Sequence, residues 1–326
     1  MQTAARMDGV AWIMLVGLAL VWGFSFPFAQ IALTELPVLT VVALRVGLAT
    51  VTLWGAVLVM GLPVPRSPAV WASLAVMGVT NNVIPFSLIV WGQTAITSGL
   101  AAVLNGTTPL FAGVIAGLML PDERLTARRV AGILFGVLGV AVIVGPGVLG
   151  DLGRALWAQL AVLGAAISYA CSSVFARGMG RFSLNPVVLS AGQTLFSALI
   201  LVPAALLVDD PLSLAMPSAG VWLAVLGYAV PGTALAYILY FAIIGRAGAT
   251  NATLVTVLIP VVAVLSGALL LGEAVTLRQL AGMGLIVLGL SVIDGRVWRR
   301  FGLFGDGPPP VRHATRPAVL DADDGV

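Results

Sequence analysis

Lysine is absent from this chain of 326 residues, and cysteine and histidine occur once each. A lone Cys171 excludes an intramolecular disulfide. The lone His313 lies in a polar C-terminal stretch, so neither an HExxH zinc motif nor a serine–histidine pair can form in the apolar segments. Charge is scarce as well: charged side chains make up 9% of the chain, where a soluble domain carries about a quarter. What fills the sequence instead is 60% hydrophobic residues, with a mean hydropathy of +1.09. A bilayer core is about 30 Å thick and takes roughly 20 apolar residues per crossing helix. Runs of that kind occupy the chain nearly end to end, which predicts an all-α integral membrane protein.

The apolar runs resolve into ten predicted transmembrane helices at 10–33, 38–60, 70–91, 99–120, 127–144, 156–176, 187–208, 221–244, 252–271 and 277–293. The divisions expected are a cytoplasmic N-terminus (1–9), two five-helix repeats (10–148 and 149–295) and a disordered cytoplasmic tail (296–326), too polar and proline-rich to bury a core. All 16 basic residues are arginine, and their placement orients the chain. With the N-terminus inside, thirteen fall in cytoplasmic segments (6, 66, 124, 128, 129, 177, 181, 246, 296, 299, 300, 312 and 316) and two, Arg154 and Arg278, fall outside. Cytoplasmic loops are the ones enriched in Lys and Arg, so both termini are expected in the cytoplasm. The net charge of +3 thus speaks for orientation in a bilayer and against a nucleic-acid partner.

One stretch recurs. ERLTARRVAGILFGVLGVAVI (123–143) and EAVTLRQLAGMGLIVLGLSVI (273–293) agree at 10 of 21 positions with a constant offset of 150. The agreement includes Glu123/Glu273, Thr126/Thr276, Arg128/Arg278 and Gly132/Gly282, and Pro109 has its counterpart in Pro260. The chain is read as a duplication of five helices. Five is odd, so the second copy enters the membrane from the opposite side, and the arginine pattern agrees: Arg124 and Arg129 become Ala274 and Gln279. Inverted repeats are the architecture of many secondary transporters, with sites near the midplane where the halves meet.

VWGFSFPFA (21–29), LPVLTVVALRVGLATVTL (36–53) and the two Gly/Pro-Glu connectors give the chain a resemblance to the EamA family of the drug/metabolite transporter (DMT) superfamily over about residues 10–295. The resemblance implies a ten-helix bacterial inner-membrane carrier whose first, third and fourth helices, with their counterparts, surround a central cavity.

Two sets of residues are singled out. Glu123, Thr126, Arg128, Glu273, Thr276 and Arg278 sit at helix ends. There the threonines can cap, and the freed N–H groups with a nearby arginine can hold the glutamate. They are expected to form a structural latch closing each helical hairpin, with gating or proton coupling as the other reading. The second set is polar yet lies within spans, where backbone and side chains need partners or water: Trp22, Arg45, Asn81, Asn82, Asn105, Ser168, Tyr169, Tyr237 and Thr256. These are the expected substrate-binding residues, inter-helix hydrogen bonding being the bland alternative. For Arg45, which lies about 10 Å into its helix, three readings stand: snorkelling to the interface, inter-helix pairing, and recognition of an anionic substrate group.

The function expected is secondary transport of a small organic solute, chiefly export of an amino acid or related metabolite by alternating access. A cationic drug efflux carrier is the alternative, but no predicted span contains a mid-membrane Asp or Glu. An intramembrane enzyme and a lipid flippase remain as lesser readings. No catalytic residue, metal or cofactor is expected, and the oligomeric state is left open.

Overall fold

The computed structural model describes residues 8–119, 126–145, 153–247, 249–252 and 254–294. Glu123 of the expected latch and the expected tail lie outside them. Among the described residues eight helices are long and apolar enough to cross a membrane: α1 (Gly9–Ala32), α2 (Val38–Val59), α3 (Pro68–Gly92), α4 (Ser98–Met119), α5 (Ala127–Val144), α6 (Arg154–Phe182), α7 (Pro186–Val208) and α8 (Ala219–Ala247). Two shorter apolar helices follow, α9 (Val255–Leu271) and α10 (Leu277–Ile293). The ninth begins later than its hydropathy predicts. A separate turn, Ala249–Ala252, precedes it, and the Asn251 amide donates to the carbonyl of Ala247 at 2.7 Å. Asn competes in this way with continued helix.

Large apolar side chains face outward without protein cover: Val59 is 89% exposed, Leu269 81% and Leu134 63%. In water such a surface would aggregate; against lipid it is the expected exterior. Association of the helices must then come from close packing and polar contacts.

The crossing of α5 with α10 shows how the two copies relate. A Cβ placed on Gly132 would meet the Gly289 carbonyl oxygen at 2.6 Å, and one on Gly289 would meet the Gly132 oxygen at 2.5 Å. Gly139 and Gly282 exclude each other's Cβ in the same reciprocal way, at 2.7 Å from either side. Gly282 and Gly289 are the repeat counterparts of Gly132 and Gly139. Position i of one copy therefore meets position j of the other while j meets i, the signature of a two-fold relation. As the numbers rise along α5 they fall along α10, so the paired helices run antiparallel. The second helices do the same: Thr40 meets Asp209, and Trp54 donates to the carbonyl of Ala191.

Candidate substrate site

Proline shapes the middle of both third helices. Pro85 in α3 and Pro231 in α8 lack the N–H that an α-helix needs, which frees a carbonyl and loosens the ladder. Each helix widens there into a π turn, Val79–Val83 in α3 and Val230–Leu235 in α8. Such turns recur at functional sites because they re-aim side chains and expose backbone oxygens. Ser168 of α6 donates to the Thr80 carbonyl at 2.7 Å, and Thr233 donates to the Tyr228 carbonyl five residues back. Gly232 is required where α1 passes, since a Cβ would lie 2.7 Å from the Ser25 hydroxyl.

The second helix of each copy reaches the π turn of the other copy. Arg45 on α2 donates from Nε to the Thr233 hydroxyl (2.9 Å) and from Nη1 to the Tyr228 hydroxyl (2.7 Å). Gln193 on α7 accepts from the Asn81 amide at 3.2 Å. Tyr237, on the turn of α8 after Thr233, joins the two arms: its hydroxyl donates to Asn82 Oδ1 at 2.7 Å and accepts from Asn81 at 3.3 Å. Asn82 in turn donates to the Ser197 hydroxyl at 2.9 Å. Asn82, Gln193, Ser197 and Thr233 are all buried.

Of the expected binding residues, Arg45, Asn81, Asn82 and Tyr237 are thus brought together, and Ser168 braces the same π turn. Tyr169 is half-buried and packs on the apolar cluster that contains Phe86 and Tyr228. Three others stand apart from this hydrogen-bonded set. Trp22 packs its ring 5.5 Å from that of Tyr240. Asn105 keeps a buried amide oxygen without a partner among the described residues. Thr256 is half-buried on α9. Of the three readings of Arg45, snorkelling falls: the residue is 7% exposed, its guanidinium carbon 3.5 Å from the Phe86 ring centroid and 4.1 Å from that of Tyr228. Gln193, Ser197, Tyr228, Thr233 and Phe86 were missing from the expected set. Position along the second helix holds the signal that would have found the first: Gln193 stands 148 residues after Arg45, not 150, but each is the eighth residue of its helix, Val38–Val59 or Pro186–Val208.

The expected latch is also redrawn. Thr126 and Thr276 do cap, accepting from the N–H groups of Arg129 and Gln279. Glu273, however, leaves its own hairpin. Gly272, at φ +65°, ends α9 in a left-handed turn. The glutamate then accepts from Ser98 N (2.7 Å), Ser98 Oγ (3.0 Å) and Gly99 N (3.0 Å) at the start of α4. A helix N-terminus presents free N–H groups and partial positive charge, so the carboxylate finds more there than at its own helix end. Arg278 lies instead against Gly145 at the end of α5, its guanidinium filling the space where a Cβ would be. Arg128 is not without a partner.

Two further carboxylates bind helix starts across the halves. Asp209 accepts from Thr40 N and Oγ1 (2.7 and 2.9 Å), and Glu35 accepts from Ser218 N at 2.6 Å. The Ser218 hydrogen bonding holds Glu35 below its ordinary carboxylate value. At the opposite ends of α1 and α8, Asp8 pairs with Arg246. Hydrogen bonding from Arg246, and then from the Ala11 N–H, brings the Asp8 carboxyl down to about 2. A depressed carboxylate contributes above its unfolded value of 3.8 and loses that contribution as the pH falls toward 2. This pair therefore does not titrate near neutrality. Asp8→Asn is expected to leave the shape of any transport–pH profile between about pH 5 and about pH 8 unchanged; a displaced midpoint in that window would refute the assignment.

With this geometry in view, comparison with known proteins decides the family. The profile of the EamA-like transporter family matches residues 9–145 and, a second time, residues 156–293. The chain belongs to the EamA-like transporter family. It is 29% identical to an Escherichia coli protein named "Probable amino-acid metabolite efflux pump", over 91% of this chain and 98% of that one. A Salmonella typhimurium protein of the same name is 28% identical over 88% and 95% of the two chains. An "Uncharacterized transporter" of Archaeoglobus fulgidus is 28% identical over 86% and 98%. A solved crystal structure superposes with a TM-score of 0.65 at 22% identity, covering 90% of this chain and 99% of that chain; it speaks for the fold alone. The EamA-like chain is a multi-pass membrane protein of a transporter family.

Proposed function

We propose that this EamA-like protein is a secondary transporter that exports an amino acid or a related small metabolite by alternating access. In this reading all ten helices span a bacterial inner membrane, in two inverted copies (10–148 and 149–295) with both termini cytoplasmic. The observation that carries it is the reciprocal reach of α2 and α7 into the π turns of α8 and α3. It assembles hydroxyl, amide and guanidinium groups within the helices, at the junction of two copies that can rock against each other. Trp22, which packs on the same apolar cluster as Tyr237, and Asn105 and Thr256 are kept in this reading as further solute contacts. The names of the E. coli and Salmonella relatives support the solute class. Efflux of permanent cations is disfavoured, because the one charged residue buried among the described residues is the cation Arg45.

The test is a metabolite-resolved efflux and counterflow screen in proteoliposomes, with and without a pH gradient. At least one amino acid or amino-acid derivative is expected to move faster than from empty vesicles, saturably. Transport confined to organic cations would overturn the solute class.

A further inference from the structure

The guanidinium of Arg45 is buried but only partly bonded. Five N–H groups project from it in a rigid plane, and two of them, on Nε and Nη1, meet the neutral hydroxyls of Thr233 and Tyr228. Nη2 makes no hydrogen bond to any described residue, nor does a carboxylate of the described residues pair with this charge; the Asp and Glu side chains described lie at helix ends. The guanidinium carbon lies over the rings of Phe86 and Tyr228, 3.5 and 4.1 Å from their centroids, which confines the group. A buried charge without a counter-ion is costly, and hydroxyl oxygens and ring faces offset only part of that cost. A protein retaining such a group holds a rigid, positive fork with one arm unbonded to any described residue. That is the geometry arginine uses to take a carboxylate through parallel bonds.

We infer that Arg45 is the docking group for a carboxylate of the transported solute. The inference rests on the transport reading above and narrows it: the solute carries an acidic group, and its carboxylate enters at Nη2. The bound carboxylate pairs with the one charge buried among the described residues. Thr233 links this event to the π turn of α8, because the hydroxyl that accepts from Arg45 also donates to the Tyr228 carbonyl. Asn81, Asn82 and Gln193, on the neighbouring arm, are neutral and discriminate the remainder of the solute by shape and hydrogen bonding.

The experiment uses the full chain in proteoliposomes and three matched probes: L-phenylalanine, 3-phenylpropionate, which keeps the carboxylate, and 2-phenylethylamine, which keeps only the amine. The same trio is built on leucine and on whichever amino acid the screen favours. Inhibition of efflux is expected from the acid at concentrations about tenfold or more below those needed of the amine, the worth of one charge-assisted bond. Arg45→Gln is expected to abolish the preference for the acid. Arg45→Lys, which keeps the charge but not the fork, is expected to retain the preference with about tenfold weaker half-saturation. Should Arg45→Gln fail to yield monodisperse protein, the wild-type acid–amine comparison and Arg45→Lys still decide. Equal inhibition by acid and amine, or a folded Arg45→Gln protein with wild-type half-saturation for acids, overturns the inference while leaving transport intact. A wild-type protein that moves and binds no solute of the screen overturns the transport reading and this inference with it.

Discussion

Gly139→Val is expected to leave almost no monodisperse protein, and Gly282→Val to do the same. The two glycines face each other across α5 and α10. A Cβ on Gly139 would lie 2.7 Å from the Gly282 carbonyl oxygen and 3.0 Å from the Ile286 nitrogen. Both obstacles are backbone, so no side-chain rotation relieves them and the helices must separate. Separation forfeits the close packing that substitutes for a hydrophobic driving force in lipid. Overpacking of this kind costs about 3 kcal/mol, which is roughly a hundredfold in the folded ratio. Gly284 is the control: on the same helix, a Cβ there meets nothing within 4 Å, and Gly284→Val is expected to behave as wild type. The measurement is the monodisperse yield in detergent together with the thermal midpoint of the purified variant. Equal stability of the Gly139→Val and Gly284→Val proteins would refute the glycine crossing.

That crossing was partly legible in the sequence. The matched glycines 132/282 and 139/289 recur at one offset, and a small-residue stripe is how membrane helices approach closely. What the offset could not tell is that Gly132 meets Gly289 and not Gly282. Which copies touch, and in what register, is a property of the two-fold axis and has no trace in one dimension. The same gap explains the latch. Glu273 and Thr276 were correctly read as helix-end residues, and the spacing placed Arg278 close by. Electrostatics sent the carboxylate to the start of α4, some 175 positions away in the chain, because two backbone N–H groups and a hydroxyl converge there. For Arg45 the depth could be estimated from helical rise, but the rings of Phe86 and Tyr228 that bury it come from α3 and α8. The π turns escaped too: proline announces a disturbed ladder, but whether the helix kinks, breaks or widens depends on what packs against it. In α3 and α8 it widens. In α4, by contrast, Pro109 follows a short break at Gly106–Thr107, where the Thr108 hydroxyl donates to the carbonyl of Asn105.

Replacing Glu273 is expected to damage stability far more than selectivity. Its two oxygens accept from Ser98 N, Ser98 Oγ and Gly99 N, and Ser98 is fully buried. Room for the carboxylate comes from Gly267, where a Cβ would sit 2.5 Å from Oε2. Glu273→Ala strands the N-terminal donors of α4 in a place water reaches poorly. Losing charge-assisted bonds to a helix start costs about 3 kcal/mol. Glu273→Gln keeps the size, but whichever way the amide turns, its NH₂ faces a backbone N–H. Roughly half of the loss is therefore expected to remain. Glu273→Asp falls short of Ser98 by one methylene and should resemble the alanine variant more than the glutamine one. Thermal midpoints in detergent are expected to fall in the order wild type, Gln, Asp, Ala. The purified, still-folded Gln variant is expected to keep the wild-type ranking of solutes in the efflux screen. A Gln variant as stable as wild type that has lost only its response to a pH gradient would assign Glu273 to proton coupling and end the structural reading.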